Sequence, residues 1–93
     1  MIRSFADSRT AKVWNREKPG KMSLELTRRA HRKLLILNRA ATLNDLRVPP
    51  GNHLEKLAGG RAGQHSIRVN KQFRICFRWT ESGPADVEIT DYH

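Results

Sequence analysis

The apolar positions of this chain change period near residue 48, from a helical spacing before it to alternation after it. Leu26, Ala30, Leu34, Leu37 and Ala41 follow at steps of four, four, three and four, which lines one buried face of a helix. Ser23 is a good N-cap for that helix, and Glu25 falls in the first turn, where the helix dipole favours a carboxylate. A shorter helix is predicted from the Asp7-Ser8 capping signal to about Glu17, ended by Lys18-Pro19-Gly20. Ahead of it, Ile2 to Phe5 alternates apolar and polar residues and predicts a short first strand.

Val48-Pro49-Pro50-Gly51-Asn52 forms a loop that no helix crosses, because proline lacks the amide donor and clashes with the preceding turn. Strands are expected beyond it at His53 to Leu57, Ser66 to Val69 and Phe73 to Trp79, with a last one carrying Val87 and Ile89. Ala58 to Gly63, Asn70-Lys71-Gln72 and Ser82-Gly83-Pro84 connect them. Phe73, Ile75, Phe77 and Trp79 share one face, expected to meet the long helix, while Arg74, Cys76 and Arg78 share the other. The order predicts an α+β layer, with two N-terminal helices packed on one face of a mainly antiparallel sheet and the other face open. Ninety-three residues suit a single domain spanning 1–93.

Charge adds the first functional signal. Eighteen Lys and Arg against nine Asp and Glu leave a formal +9 at pH 7, a field that attracts polyanions and points to nucleic acid. Arg28, Arg29, Arg32, Lys33 and Arg39 cover much of the long helix outside its apolar stripe, as a solvated face or as contacts to RNA or a partner. One cysteine, Cys76, excludes an internal disulfide, and its neighbours Ile75 and Phe77 make it an ordinary strand residue. No stretch approaches the roughly 18 apolar residues of a membrane span, and Met1 to Phe5 lacks the apolar run of a secretion signal. A cytoplasmic protein without membrane contact is therefore expected.

Period-two geometry sets Arg68 opposite Ile67 and Val69, so a hairpin around Asn70-Lys71-Gln72 brings Arg68 and Arg74 together on the solvent side. Paired like charges cost stability unless an anion bridges them, which suggests a phosphate site; the other reading is edge charges that suppress sheet aggregation. Metal-free RNA cleavage needs a base for the 2′-hydroxyl, a cation for the phosphorane and an acid for the departing 5′-oxygen. His31, His53, His65 and His93 are scattered and no second cysteine exists, so no metal site or other cofactor is expected. His93, beside Asp91 and Tyr92, is the best candidate for proton transfer, because imidazole titrates near neutral pH.

Leu54 to Trp79, which contains Ser66-Ile67-Arg68-Val69-Asn70 and Phe73-Arg74-Ile75-Cys76-Phe77-Arg78, together with Asp86 to His93, resembles the HigB-type toxins of the RelE/ParE superfamily. The N-terminal Met1 to Phe5 and the Pro49-Pro50-Gly51 loop fit as well, so the resemblance spans nearly the whole chain. It implies a RelE-like fold, ribosome-dependent cleavage of mRNA, and a HigA-type helix-turn-helix antitoxin through which alone the protein would meet operator DNA. Carried over by position, it assigns Arg74 to the phosphate site and Asp91, Tyr92 and His93 to the functional tail. Gln72 stands at the turn, where relatives often have a polar residue.

Some active relatives read Leu-His-Pro-Leu-Lys-Gly where this chain reads Leu54-Glu55-Lys56-Leu57-Ala58-Gly59. Glu55 then takes the place of a histidine as candidate general base, since a carboxylate near cations stays ionised; otherwise it is a surface residue paired with Lys56 or Arg61. Ala58 replaces a lysine, and Lys56, Arg61 or Lys71 are the candidates to supply that charge. Arg68 and Arg78 complete the expected RNA-contacting set. His65 stands where aromatic residues are common, to stack on a base or to cover the sheet. Two other functions share these features: a ParE-like inhibitor of gyrase, and a non-catalytic RNA-binding or operon-regulating module.

Overall fold

The computed structural model describes residues 1–91. Helix α1 spans Ser8–Trp14, capped by Asp7, whose Oδ1 accepts the Thr10 N–H at 2.8 Å. It stops short of Glu17 because Arg16 takes a left-handed φ of 59°, which ends the helical run. Helix α2 spans Leu24–Arg39 and is capped as expected, with Ser23 Oγ accepting the Leu26 N–H at 3.1 Å. Leu26, Ala30, Leu34 and Leu37 form its buried stripe. The fifth expected member, Ala41, is exposed and lies beyond the helix, because the backbone at Ala40 is already extended. Leu46, in the 3₁₀ turn Leu43–Arg47, is fully buried and closes that end of the core instead.

Four antiparallel strands follow: β1 Glu55–Lys56, β2 His65–Arg68, β3 Phe73–Thr80 and β4 Gly83–Asp91, side by side in sequence order. β1 is shorter than His53 to Leu57, since Pro50–Asn52 form a 3₁₀ turn and His53 adopts the left-handed region at φ 45°. The expected first strand is reduced to one parallel bridge, Phe5 to Val87. Its would-be partner β4 is irregular there: register shifts by one residue between Cys76↔Glu88 and Arg78↔Ala85, so Asp86 and Val87 together oppose Phe77. Asp86 sits in the left-handed region of this bulge at φ 52°. Farther along, the N-terminal segment passes so close to the start of β4 that a Cβ on Gly83 would collide with the Met1 carbonyl oxygen.

The expected layer order holds: Leu26, Leu34 and Leu37 of α2 pack in one core with Ile67, Ile75, Phe77, Val87 and Ile89 from the sheet. Phe73 and Trp79 flank that core, half-buried. Helix α1 seals the outer edge of β4, where Thr10 Oγ1 accepts the buried Ile89 N–H at 2.9 Å and Arg9 donates to the Ile89 carbonyl at 2.8 Å. Thr10→Val keeps the side-chain shape but strips the amide of its acceptor. We expect it to lower the unfolding free energy by about 1–3 kcal/mol in urea titration; an unchanged midpoint would show that Ile89 finds another partner.

The second sheet face, expected to be open, is largely covered. Ser66 and Cys76 are fully buried there and Arg74 is only 8% exposed. Chain from both sides of β1 reaches across this face: the His53 carbonyl meets Arg74, and Arg61 extends to Glu88 on β4. No described helix is long and apolar enough to cross a membrane.

Candidate functional site

The hairpin linking β2 and β3 sets the site. Asn70 Oδ1 accepts the backbone N–H groups of Gln72 and Phe73 at 2.8 and 2.7 Å, a side-chain turn that fixes the register. In that register Arg68 stands opposite Arg74, as the alternation predicts, and Ser66 stands opposite both Cys76 and Glu55. Glu55, Ser66, Arg68 and Arg74 therefore belong to the face turned away from α2.

Arg74 was expected to point into solvent; it is buried and held from three directions. Its Nε donates to Ser66 Oγ at 2.7 Å and Nη2 donates to the His53 carbonyl at 2.7 Å. Nη2 also lies 3.8 Å from Glu55 Oε2, an attraction too long for a hydrogen bond. The Glu55 side chain keeps 54% of its surface exposed, against 10% for Arg74. A half-exposed carboxylate thus stands in front of a buried guanidinium, and Arg68, which donates to the Asn70 carbonyl at 3.1 Å, adds positive charge alongside. Ser66 and the His53 carbonyl were not foreseen as members of this cluster. Their signal is the left-handed backbone at His53, which no run of residue types reveals.

The remaining expected site residues scatter. Asp91 ends β4 opposite Phe73 and accepts from Gln72 Nε2 at 2.9 Å, so it lies beside the β2–β3 turn. Tyr92 and His93 lie outside the described residues. Lys56 is the register partner of His65, on the sheet face opposite to Glu55. Arg61 donates to Gln64 and Glu88 at 3.0 and 3.2 Å. Arg78 pairs with Asp86 at 3.2 Å beside the bulge, away from the cluster. His65 stacks on Phe77 with ring centroids 6.4 Å apart, so its ring covers the sheet. Burial, then the nearby charges of Lys56 and Arg47, push its pKa below the ordinary histidine value, and its buried Nδ1 has no hydrogen-bond partner among the described residues.

Lys71 lies next to Arg68 in a groove of about 840 Å³ between α2 and the β2–β3 turn. Arg29, Arg32 and Lys33 line its other wall. Lys33 Nζ donates to Asn52 Oδ1 at 2.6 Å, and fully buried Asn52 is itself fixed by donating to the Leu46 and Val48 carbonyls. Burial, with the neighbouring Arg29 charge, lowers the Lys33 pKa from the usual lysine value. The sequence left these helix cations open between a solvated face and a contact surface; their spacing 29, 32, 33 puts them on one stripe.

With this geometry in place, comparison with known proteins defines the class. Residues 3–93 match the model of the HigB-like toxin family, described as the RelE-like toxin of type II toxin-antitoxin system HigB. The chain belongs to this family. Toxin HigB-1 of Vibrio cholerae serotype O1 is 54% identical over 50 residues, which are 54% of this chain and 53% of that protein. An uncharacterized protein of Haemophilus influenzae is 46% identical over 48 residues, 52% of this chain and 48% of that one. The aligned stretch thus spans about half the length of the curated relatives. The fold superposes on a chain of the YoeB-YefM complex from Staphylococcus aureus with a TM-score of 0.63, covering 100% of this chain and 98% of the other. At 14% identity that likeness concerns the fold.

Proposed function

We propose that the protein is the toxin of a type II toxin-antitoxin pair and acts as a ribosome-dependent mRNA endoribonuclease, neutralised by a HigA-type helix-turn-helix antitoxin. The observation that carries this reading is the half-exposed Glu55 carboxylate set 3.8 Å from buried Arg74, with Arg68 in register alongside. A base beside a desolvated cation is what in-line attack by a 2′-hydroxyl requires. Glu55 accepts the 2′-hydroxyl proton as the 2′-oxygen attacks phosphorus, while Arg74 and Arg68 stabilise the charge gathering on the phosphorane. The bond from phosphorus to the 5′-oxygen then breaks, and His93 supplies the proton to that oxygen. A 2′,3′-cyclic phosphate and a 5′-hydroxyl result, with no cofactor consumed. Asp91 and Tyr92 join His93 in the catalytic set, Lys56, Arg61, Lys71 and Arg78 contribute charge along the RNA, and operator DNA is met only through the antitoxin.

Induced expression tests this reading in cells. Transcripts should be cut at defined codon positions with chromosomal DNA intact; DNA damage with intact transcripts would instead assign the protein to the gyrase-inhibiting branch. Affinity for ribosomes or RNA should also fall steeply with salt, because each phosphate neutralised on a single strand contributes a log–log slope of about −0.7. The net charge of +9 motivates this expectation. Titrations at low and moderate salt that give the same binding constant would remove the electrostatic basis of the proposal.

A further inference from the structure

We propose that His65 is a positioning residue for Glu55: as a neutral ring it latches strand β1 onto the sheet, and on taking a proton it releases β1 and the carboxylate that β1 carries. The inference rests on the ribonuclease reading for the role of Glu55, and it adds to that reading a control by pH exerted from the opposite face of the sheet.

β1 is a strand that needs a latch. It is two residues long, lies at the edge of the sheet and pairs with β2 alone among the described strands, so its own ladder holds it weakly. In that pairing Lys56 stands opposite His65 and Glu55 opposite Ser66. What keeps Lys56 against His65 therefore also keeps Glu55 beside Ser66, the residue that accepts from Arg74 Nε at 2.7 Å. The row Lys56, His65, Phe77 crosses three strands on the helix-facing side. Within it the His65 ring stacks on fully buried Phe77, with 6.4 Å between centroids and 24° between planes.

This seat accepts imidazole and disfavours imidazolium. His65 Nδ1 is buried and has no hydrogen-bond partner among the described residues. In the neutral ring that nitrogen stays unprotonated, whereas imidazolium must carry a proton on it with no acceptor in reach. Two charges act on the ring, Lys56 from β1 and Arg47 from the 3₁₀ turn Leu43–Arg47, and both are positive. Phe77 on β3 brings none. The carboxylates of the adjoining elements are engaged elsewhere. Asp45, in the turn with Arg47, accepts the Ala41 and Thr42 N–H groups; Asp86, which with Val87 opposes Phe77, pairs with Arg78; Glu55 faces Arg74 on the other side of the sheet.

Burial, then Lys56, then Arg47, accordingly lower the pKa of His65 in the docked arrangement. Docked β1 thus binds fewer protons here than released β1. The latch is fully closed above the ordinary histidine value of about 6.5 and weakens as pH falls below it, by at most about tenfold at pH 5.5. Protonated His65 also sets a second cation directly opposite Lys56 across the strand pair, which works against β1 itself.

Hydrogen exchange at the Leu57 amide, which donates to the Gln64 carbonyl at 2.9 Å beside β1, reads the docking of the strand without an activity assay. Its protection factor should drop between pH 7.5 and 5.5 by about three- to tenfold more in wild type than in His65→Phe, which keeps a ring on Phe77 and takes no proton. His31, His53 and His93 are present in both proteins, so any contribution from them is shared. Lys56→Gln, which removes the opposing cation, should drop less than wild type. A wild-type drop no larger than that of His65→Phe would overturn the proposal; should that variant fail to fold, Lys56→Gln decides by the same comparison. Single-turnover cleavage of ribosome-bound message is scored over the same range, and wild type should lose more of its rate on acidification than His65→Phe. Equal losses of rate beside the expected exchange result would make His65 a packing residue and overturn its positioning role. Expected exchange with no cleavage by wild type at either pH leaves the latch standing and removes the nuclease reading, whereas cleavage with equal exchange drops does the reverse.

Discussion

Replacing Arg74 with alanine should abolish growth inhibition and also lower the stability of the protein. A contact made to the developing phosphorane contributes on the order of 2–4 kcal/mol of transition-state stabilisation, a loss of roughly 30- to 1,000-fold in rate. The structure adds the second half. Arg74 is 8% exposed and donates to Ser66 Oγ and the His53 carbonyl, so alanine leaves a buried hydroxyl and a carbonyl without this partner. Hydrogen bonds from a charged group contribute about 1.5–3 kcal/mol each. Rates must therefore be measured per folded molecule, with the unfolding transition recorded in parallel. Arg74→Lys separates the roles, since it keeps the charge but cannot reproduce the planar fork that meets Ser66 and His53 together. We expect the lysine variant to recover part of the rate and little of the stability. Wild-type cleavage by well-folded Arg74→Ala would move the phosphate site elsewhere.

The second large effect is expected at the tail. Changing Tyr92 and His93 together to alanine should slow mRNA cleavage by one to several orders of magnitude while ribosome binding survives, because proton transfer is lost and the cationic surfaces are not. Glu55→Gln tests the other proton step; it also removes the carboxylate facing buried Arg74, so its rate is measured per folded molecule as well. If the two residues serve one concerted path, each change alone is severe and their combination costs less than the sum. A tail variant that cleaves as fast as wild type would leave Glu55 and the arginines to carry the chemistry.

The Arg68–Arg74 pairing was legible because alternation and a three-residue turn determine it locally. So was α2, whose cap at Ser23 and stripe through Leu37 are set by residues within one or two turns of each other. The burial of Arg74 was not legible. Alternation says which face a strand residue takes, but the covering of that face depends on the left-handed turn at His53 and on Arg61 reaching Glu88, 27 residues away. Ala41 was misplaced for a similar reason: the stripe continues in sequence, while extended backbone at Ala40 and the Thr42 cap with Asp45 start a new turn. The groove escaped because its two walls share no local pattern. Only the packing of α2 on the sheet brings Arg29, Arg32 and Lys33 to face Lys71.

The most direct measurement adds the purified protein to a reconstituted translation system and maps the 5′ ends of a defined message. The account predicts new 5′-hydroxyl ends at fixed positions within codons, only on ribosome-bound message, and their loss in the Glu55→Gln and Arg74→Ala variants. Intact message under these conditions, with translation undisturbed and purified gyrase inhibited, would contradict it.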